Sequence, residues 1–186
     1  MNKNKKAFIA SISFATVFIF LLSLKFIQHA RQQKIVVYNV PQHTAVDFIS
    51  GNNFYFSGDS IVINDVLMRN FNLKPNRVKS NLSLHKDILL LTANNLALNY
   101  NNKKVLLLNQ SVHPGISEQK IHVDIIIITG KIKNSITDLQ KVFDCNNYIA
   151  SSVISSWKCM QWKKDCEQLH LRFHSVAQQG AAVINL

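Results

Sequence analysis

The stretch HVDIIIITGKIKNSITDL, His122 to Leu139, decides how this chain folds. Val123 to Thr129 is an apolar, β-branched run with one acid, Asp124, near its start. A run this short, closed by Gly130 and polar residues, predicts a buried strand. Ile136, Leu139 and Val142 then recur at helical spacing. Ser135, with Asp138 three residues on, makes a capping-box start in which Asp stands for the usual Glu or Gln. Strand, loop and helix in that order put a candidate site at the carboxyl end of the strand, the usual ligand edge of α/β sheets. That edge carries Gly130, Ile132, Asn134 and Ser135, so it offers no His, no Cys and no carboxylate.

Upstream of this stretch the signals are mostly those of strands. Ile35 to Val40 (IVVYNV) is a first strand ended by Pro41. Ala45 to Ile49 and Asn53 to Phe56 form a hairpin about Gly51-Asn52. Asp65 to Phe71 reads as a short helix capped by Asn64. Further strands are expected at 78–84, 88–92, 96–100 and 104–108, the last three separated by Asn94-Asn95 and Asn101-Asn102 turns. Downstream, a strand begins at Tyr148 and continues toward Val153. Ser155 or Ser156 then starts a helix whose face includes Trp157, Met160, Trp162, Cys166 and Leu169. Strands at 173–176 and 181–186 finish the chain. The fold class is α/β: a layered sheet domain over 31–186, without repeats, behind an N-terminal membrane anchor over 1–30.

The anchor reading rests on Ala7 to Leu24, AFIASISFATVFIFLLSL, which has no charged residue. Eighteen helical residues span ~27 Å, close to the ~30 Å hydrocarbon core, and Lys25 can snorkel to lengthen the span. A cleaved signal sequence is the competing reading and a buried core helix the third, although no small-x-small site follows the run. Positive charge on both flanks gives no orientation. The remaining ~155 residues suffice for a domain with its own core.

The formal charge of +11 is unevenly distributed. Lys3, Lys5, Lys6, Lys25, Arg31 and Lys34 precede the first acid, Asp47, leaving fifteen basic against ten acidic residues thereafter. Membrane flanks account for much of the excess, and weak attraction of DNA phosphates for the rest of the surface stays open. Cys145, Cys159 and Cys166 make no staple or Cys-x-x-Cys pattern and read as buried thiols. Among the seven histidines only His170 and His174 have a metal-like spacing, and no third ligand lies near them in sequence. Asp59 closes a strand and Asp47 sits within the hairpin; each is read first as a structural acid and second as a catalyst. Trp157, Lys158, Trp162, Lys163 and Lys164 interleave rings with charges, a pattern that suits nucleic acid or plain packing. The two Trp lie ~140° apart around a helix, so one is expected inside and one outside.

In order and spacing, the segment IVVYNVPQHTAVDFISGNNFYFSGDS resembles the opening of the metallo-β-lactamase-like domain of ComEC, a DNA-internalisation competence protein. The family's Asp-Val-Gly-Gln-Gly-Asp-Ala motif falls on Asn39 to Ala45, where Val40, Gln42 and Ala45 match; Ser57-Gly58-Asp59 falls near its second motif. Asp124 and Thr129 match the lead-in to the family's His-x-His-x-Asp-His metal motif. Gly130, Ile132, Asn134 and Ser135 then stand where its four ligands would be. The resemblance covers residues 35–186, and the Trp-Lys helix with the closing AVINL, Ala182 to Leu186, also resembles the C-terminal end of the shorter, degenerate ComEC-like proteins of Bacteroidetes. It implies a degenerate metallo-β-lactamase-like fold, in whole or part an αββα sandwich. The expectation is a membrane-anchored, non-catalytic piece of a truncated or split uptake protein, acting as a scaffold or weak DNA contact. It would sit in the bacterial inner membrane as a single-pass protein, with lipid, a ComEC-like channel portion and DNA as partners. No catalytic, metal-binding or cofactor-binding residue is expected. The alternatives are a hydrolase, nuclease or phosphodiesterase, rebuilt from Asp59, His85, His113 or His174, and a remnant envelope protein without an uptake role.

Overall fold

The structure, a computed structural model, describes residues 2–82, 86–90, 94–113 and 119–186. Helix α1 (Asn2–Arg31) leads into β1 (Gln33–Val37), β2 (Ala45–Ser50) and β3 (Asn53–Gly58). A helical segment follows: α2 (Ser60–Asn64), α3 (Val66–Met68), a wider π-helical turn over Arg69–Leu73, and α4 (Lys74–Lys79). Then come β4 (Lys86–Leu90), β5 (Leu96–Tyr100), β6 (Lys103–Leu108), β7 (Ile121–His122) and β8 (Ile125–Ile128). The chain closes with α5 (Ile136–Val142), β9 (Phe143–Asp144), β10 (Asn147–Ala150), α6 (Ser156–Gln168), β11 (Arg172–Ser175), α7 (Val176–Gln179) and β12 (Ala182–Asn185).

The strands build two five-stranded sheets, ordered β12-β1-β2-β3-β4 and β11-β10-β8-β6-β5, with β7 and β9 paired separately. The alternation of side chains along each strand shows how the layers stack. Ile35 and Val37 of β1, Val46 and Phe48 of β2, Val105 and Leu107 of β6, and Ile125 and Ile127 of β8 share one core between the sheets. Their neighbours in sequence point the other way. Val36, Ile49, Phe54 and Phe56 pack beneath Val62 and Leu73 of the first helical layer. Leu106, Ile126, Ile128 and Tyr148 pack beneath Leu139, Cys159, Trp162 and Cys166 of α5 and α6. The result is helix, sheet, sheet, helix.

Strand β8 is buried at every residue because it lies between β6 and β10, parallel to both, with a hydrophobic layer on each face. Each of its isoleucines contributes ~1.5–3 kcal/mol relative to exposure, which explains why the run has no polar alternation. The hairpin forms as its sequence predicts. Gly51 takes φ +57° at the turn, where an added Cβ would also stand 2.9 Å from the Ala30 carbonyl oxygen. Asn101 and Asn102 both adopt positive φ between β5 and β6. The capping box at Ser135 is fully made.

Several expectations are corrected. Residue 64 is not a cap: the chain extends at Asp65, whose short carboxylate accepts from the amides of Leu67 (2.8 Å) and Met68 (3.1 Å). The strand expected from residue 78 does not form over its described part. Helix continues through Lys79 because Leu73 and Arg77 are held inward, and Asn81 ends it with φ +50°. The inner face of α6 is Cys159, Trp162 and Cys166; Trp157 is the exposed ring of the pair, as the angle between the two requires, but Met160 and Leu169 are exposed as well, since sheet contact selects one stripe of the helix. Strand β10 stops at Ala150, short of Val153. Part of the strand expected at 88–92 lies outside the described residues, as does His85.

Candidate functional site

The parallel strands β6, β8, β10 and β11 end on one edge of the sandwich, where the connections after β1 and β3 also arrive. At this edge Thr44 donates its hydroxyl to the Thr129 carbonyl and shares a hydrogen bond with the Ser151 hydroxyl, each at 3.1 Å. Ser151 in turn donates its backbone amide to Ile128. All three hydroxyl residues are buried, so the strand ends meet in an uncharged knot. Beside it Asp59 accepts from the Thr44 amide (3.0 Å) and lies 3.1 Å from Nδ1 of His43. Gln42, with φ +62°, turns the chain so that these two bonds can form.

The four positions where the resemblance implies ligands all have structural work. Gly130 lies against Asn109, whose carbonyl oxygen a Cβ would overlap, so the glycine is required by close approach. Ile132 is buried in the helix-side core. Asn134 accepts from the Val112 amide (3.0 Å) and donates to the Val112 carbonyl (2.7 Å), stitching two strand-end loops together. Its own carbonyl accepts from the Trp162 indole at 3.0 Å. Ser135 caps α5, with its Oγ accepting from the Asp138 amide at 3.1 Å. A dinuclear centre needs several imidazole and carboxylate donors converging on one point. These residues do not fit one, and no group of three or more His, Cys, Asp or Glu able to hold a metal occurs among the described residues.

The alternative candidates are dispersed. Asp47 is fully buried beneath the first helical layer, where Arg77 donates to both carboxylate oxygens (2.8 Å each) and Tyr38 to one of them (2.7 Å). Burial and the Asp47 charge push the Tyr38 phenol pKa up, so its hydroxyl stays a donor. Asp124 accepts from the Lys104 amide and the Lys103 ammonium at the opposite end of β8, and these bonds lower its pKa. His174 bonds the Gly180 carbonyl through Nε2 (2.9 Å) in a groove along β12. His170 takes φ +55° after α6, and His113 lines a shallow hollow with Ser111 and Asp138. The three thiols are buried, and burial raises Cys145 to about 11 and Cys166 to about 12.

Over the strand ends lies an open groove of about 900 Å³, lined by Lys131, Lys133, Ser152, Trp157 and Lys158, with no acid, His or Cys in its lining. Trp162, wholly buried, forms its floor, and Trp157, 64% exposed, its wall. The Lys158 ammonium stands 5.6 Å from the centre of the Trp157 ring and 5.5 Å from that of Trp162. The start of α6 opens beside it, and Ser155 makes no side-chain cap, so amide dipoles add to the positive field. Sequence pattern found the Trp and Lys residues but not Lys131 and Lys133, which join them only through the fold.

With this geometry in view, the comparisons give one decisive match: the family model described as ComEC C-terminal domain covers residues 35–186. The chain belongs to the ComEC C-terminal domain family. It is thereby related to the DNA-uptake competence protein. No curated protein and no solved structure matches. The described residues of this ComEC-family chain also include one helix, Ala7–Arg31, long and apolar enough to cross a membrane.

Proposed function

We propose that this chain is a membrane-anchored, non-catalytic member of the ComEC C-terminal domain family that holds DNA weakly through the groove at its strand ends. One observation carries the reading. The positions that would hold metal ligands serve packing, capping and loop closure, while the groove above them gathers three lysines and an exposed Trp without an acid. Lysines attract phosphates through charge, and an exposed ring offers a base a stacking surface. On this reading the domain is a degenerate metallo-β-lactamase-like sandwich that acts as a scaffold beside the channel portion of the uptake apparatus.

A retained single-pass anchor in the inner membrane is the matching location for α1. Its apolar stretch has four hydroxyl side chains, Ser11, Ser13, Thr16 and Ser23, and each donates to a carbonyl three or four residues back. That leaves no hydroxyl proton unsatisfied in lipid.

The test is anisotropy of a labelled single-stranded oligonucleotide with the full chain in detergent, across a salt series. Binding should weaken with salt at a log–log slope of about −2, on the basis of ~0.7 per phosphate contact for three lysines. Triple substitution of Lys131, Lys133 and Lys158 by Gln should abolish it. Absence of binding at low salt removes the DNA role. Stoichiometric metal by mass spectrometry, together with cleavage of the oligonucleotide, would instead make the protein a hydrolase.

A further inference from the structure

The helical segment between Val66 and Lys79 has an outer face that nothing among the described residues covers. Leu67, Phe71 and Val78 are 67%, 76% and 68% exposed. Helical rotation, with the wider turn at Arg69–Leu73 allowed for, brings these three and Pro75 onto one ridge within roughly 60° of arc. Leu73 and Arg77 point the opposite way, into the domain, as their burial and the ion pair to Asp47 require. Lys74 and Lys79 flank the ridge and are exposed. The one acid between Ser60 and Ser80 is Asp65, which accepts from helix amides beside it. An apolar ridge edged by lysines is the make-up of helices that lie in a lipid interface.

The fold ties this segment to the root of α1. The Gln32 side chain, one residue beyond α1, donates to the carbonyls of Gly51 (2.8 Å) and Ser80 (2.6 Å). Lys34 donates to the Ser80 hydroxyl at 2.8 Å. The end of α4 is therefore fastened where the anchor enters the domain. From Lys25, the first charge after the apolar run, to Gln32 is seven residues, all but the last helical, or ~10 Å, against ~5–8 Å for one headgroup layer. Val78 stands two residues from this fastening. Burial and, after it, the nearby Lys79 charge lower the Lys34 pKa, and an anionic headgroup would relieve the repulsion between the two lysines.

We propose that the Leu67–Phe71–Pro75–Val78 ridge docks on the surface of the bilayer that holds α1, with Lys74, Lys79 and Lys34 meeting anionic headgroups. This second contact fixes the tilt of the domain, so that the strand-end groove is presented at a set angle to the membrane. It rests on the reading of α1 as a membrane anchor and is independent of DNA binding.

The experiment places one spin label at a time in the full chain, at Phe71→Cys, at Phe18→Cys within α1, and at Met160→Cys on the exposed side of α6. The native thiols are buried and do not compete for label. The protein is reconstituted in vesicles of mixed phosphatidylcholine and phosphatidylglycerol. Collision with oxygen, which concentrates in lipid, is then compared with collision with a water-soluble nickel complex. The expected result is a severalfold fall in nickel collisions at residue 71 relative to residue 160, with residue 18 reading as deep lipid. Adding Leu67→Glu and Val78→Glu should return the residue 71 label to water without altering the circular dichroism. Residue 18 in lipid with residue 71 in water overturns the docking alone. Residue 18 in water removes the anchor reading and the docking with it. A residue 71 label shielded from both reagents, and released when the protein is diluted to one copy per vesicle, means that a second chain covers the ridge and refutes a lipid contact.

Discussion

Arg77→Met tests the best-defined polar contact in the domain. Asp47 has no exposed surface, and Arg77 supplies a bidentate pair to it while lying 4.2 Å above the Phe54 ring. Methionine keeps the stem and much of the packing but removes the charge. Breaking a buried pair on one side costs ~3–5 kcal/mol because the remaining charge is stranded. Against a typical total of ~5–15 kcal/mol this is severe. Urea unfolding at pH 7 measures it, and the double variant Asp47→Asn with Arg77→Met, which removes the stranded charge as well, should recover more than half of the loss. A deficit below ~1 kcal/mol at pH 7 would refute the view of Asp47 as a charge kept in the core by Arg77.

Three further outcomes are expected. Gly130→Ala should cost at least ~1–3 kcal/mol in urea unfolding, because its methyl meets the Asn109 carbonyl; a neutral effect would show that the two loops can separate. Ser135→Ala should cost ~1 kcal/mol through loss of the cap. The Ser135 bonds also hold the Asp138 pKa below its usual value, which adds stability above the ordinary carboxylate pKa that is lost as pH falls through the lowered one; the variant should flatten that acid limb of the stability profile. All three thiols should resist an aromatic disulfide reagent in the folded chain and react after denaturation, whereas rapid reaction of one in the native state would contradict its burial.

The strands around β8 were legible because an uninterrupted β-branched run can only be a strand covered on both faces. The Asn-Asn and Gly-Asn turns and the capping box were legible because each depends on residues within three or four positions of one another. The chemistry at Gly130 and Ile132 was legible too, since neither residue has a donor side chain in any fold. The end of the helical segment over Val66–Lys79 was not legible, because Val78 faces outward and the inward charge, Arg77, answers an acid 30 residues earlier.

The sequence by itself therefore determined most of the strands and helices, their order, the apolar N-terminal helix and the side-chain chemistry of Gly130, Ile132, Asn134 and Ser135. These depend on local periodicity and on the chemistry of single side chains. Only the tertiary structure decided that Asp47 belongs to Arg77, that Thr44 meets Ser151 across 107 residues, that Trp162 and not Trp157 is the buried ring, and that Lys131 and Lys133 join Lys158 over one groove. Partner choice depends on which surfaces the chain brings together after closing long loops, and local sequence spacing does not encode that distance.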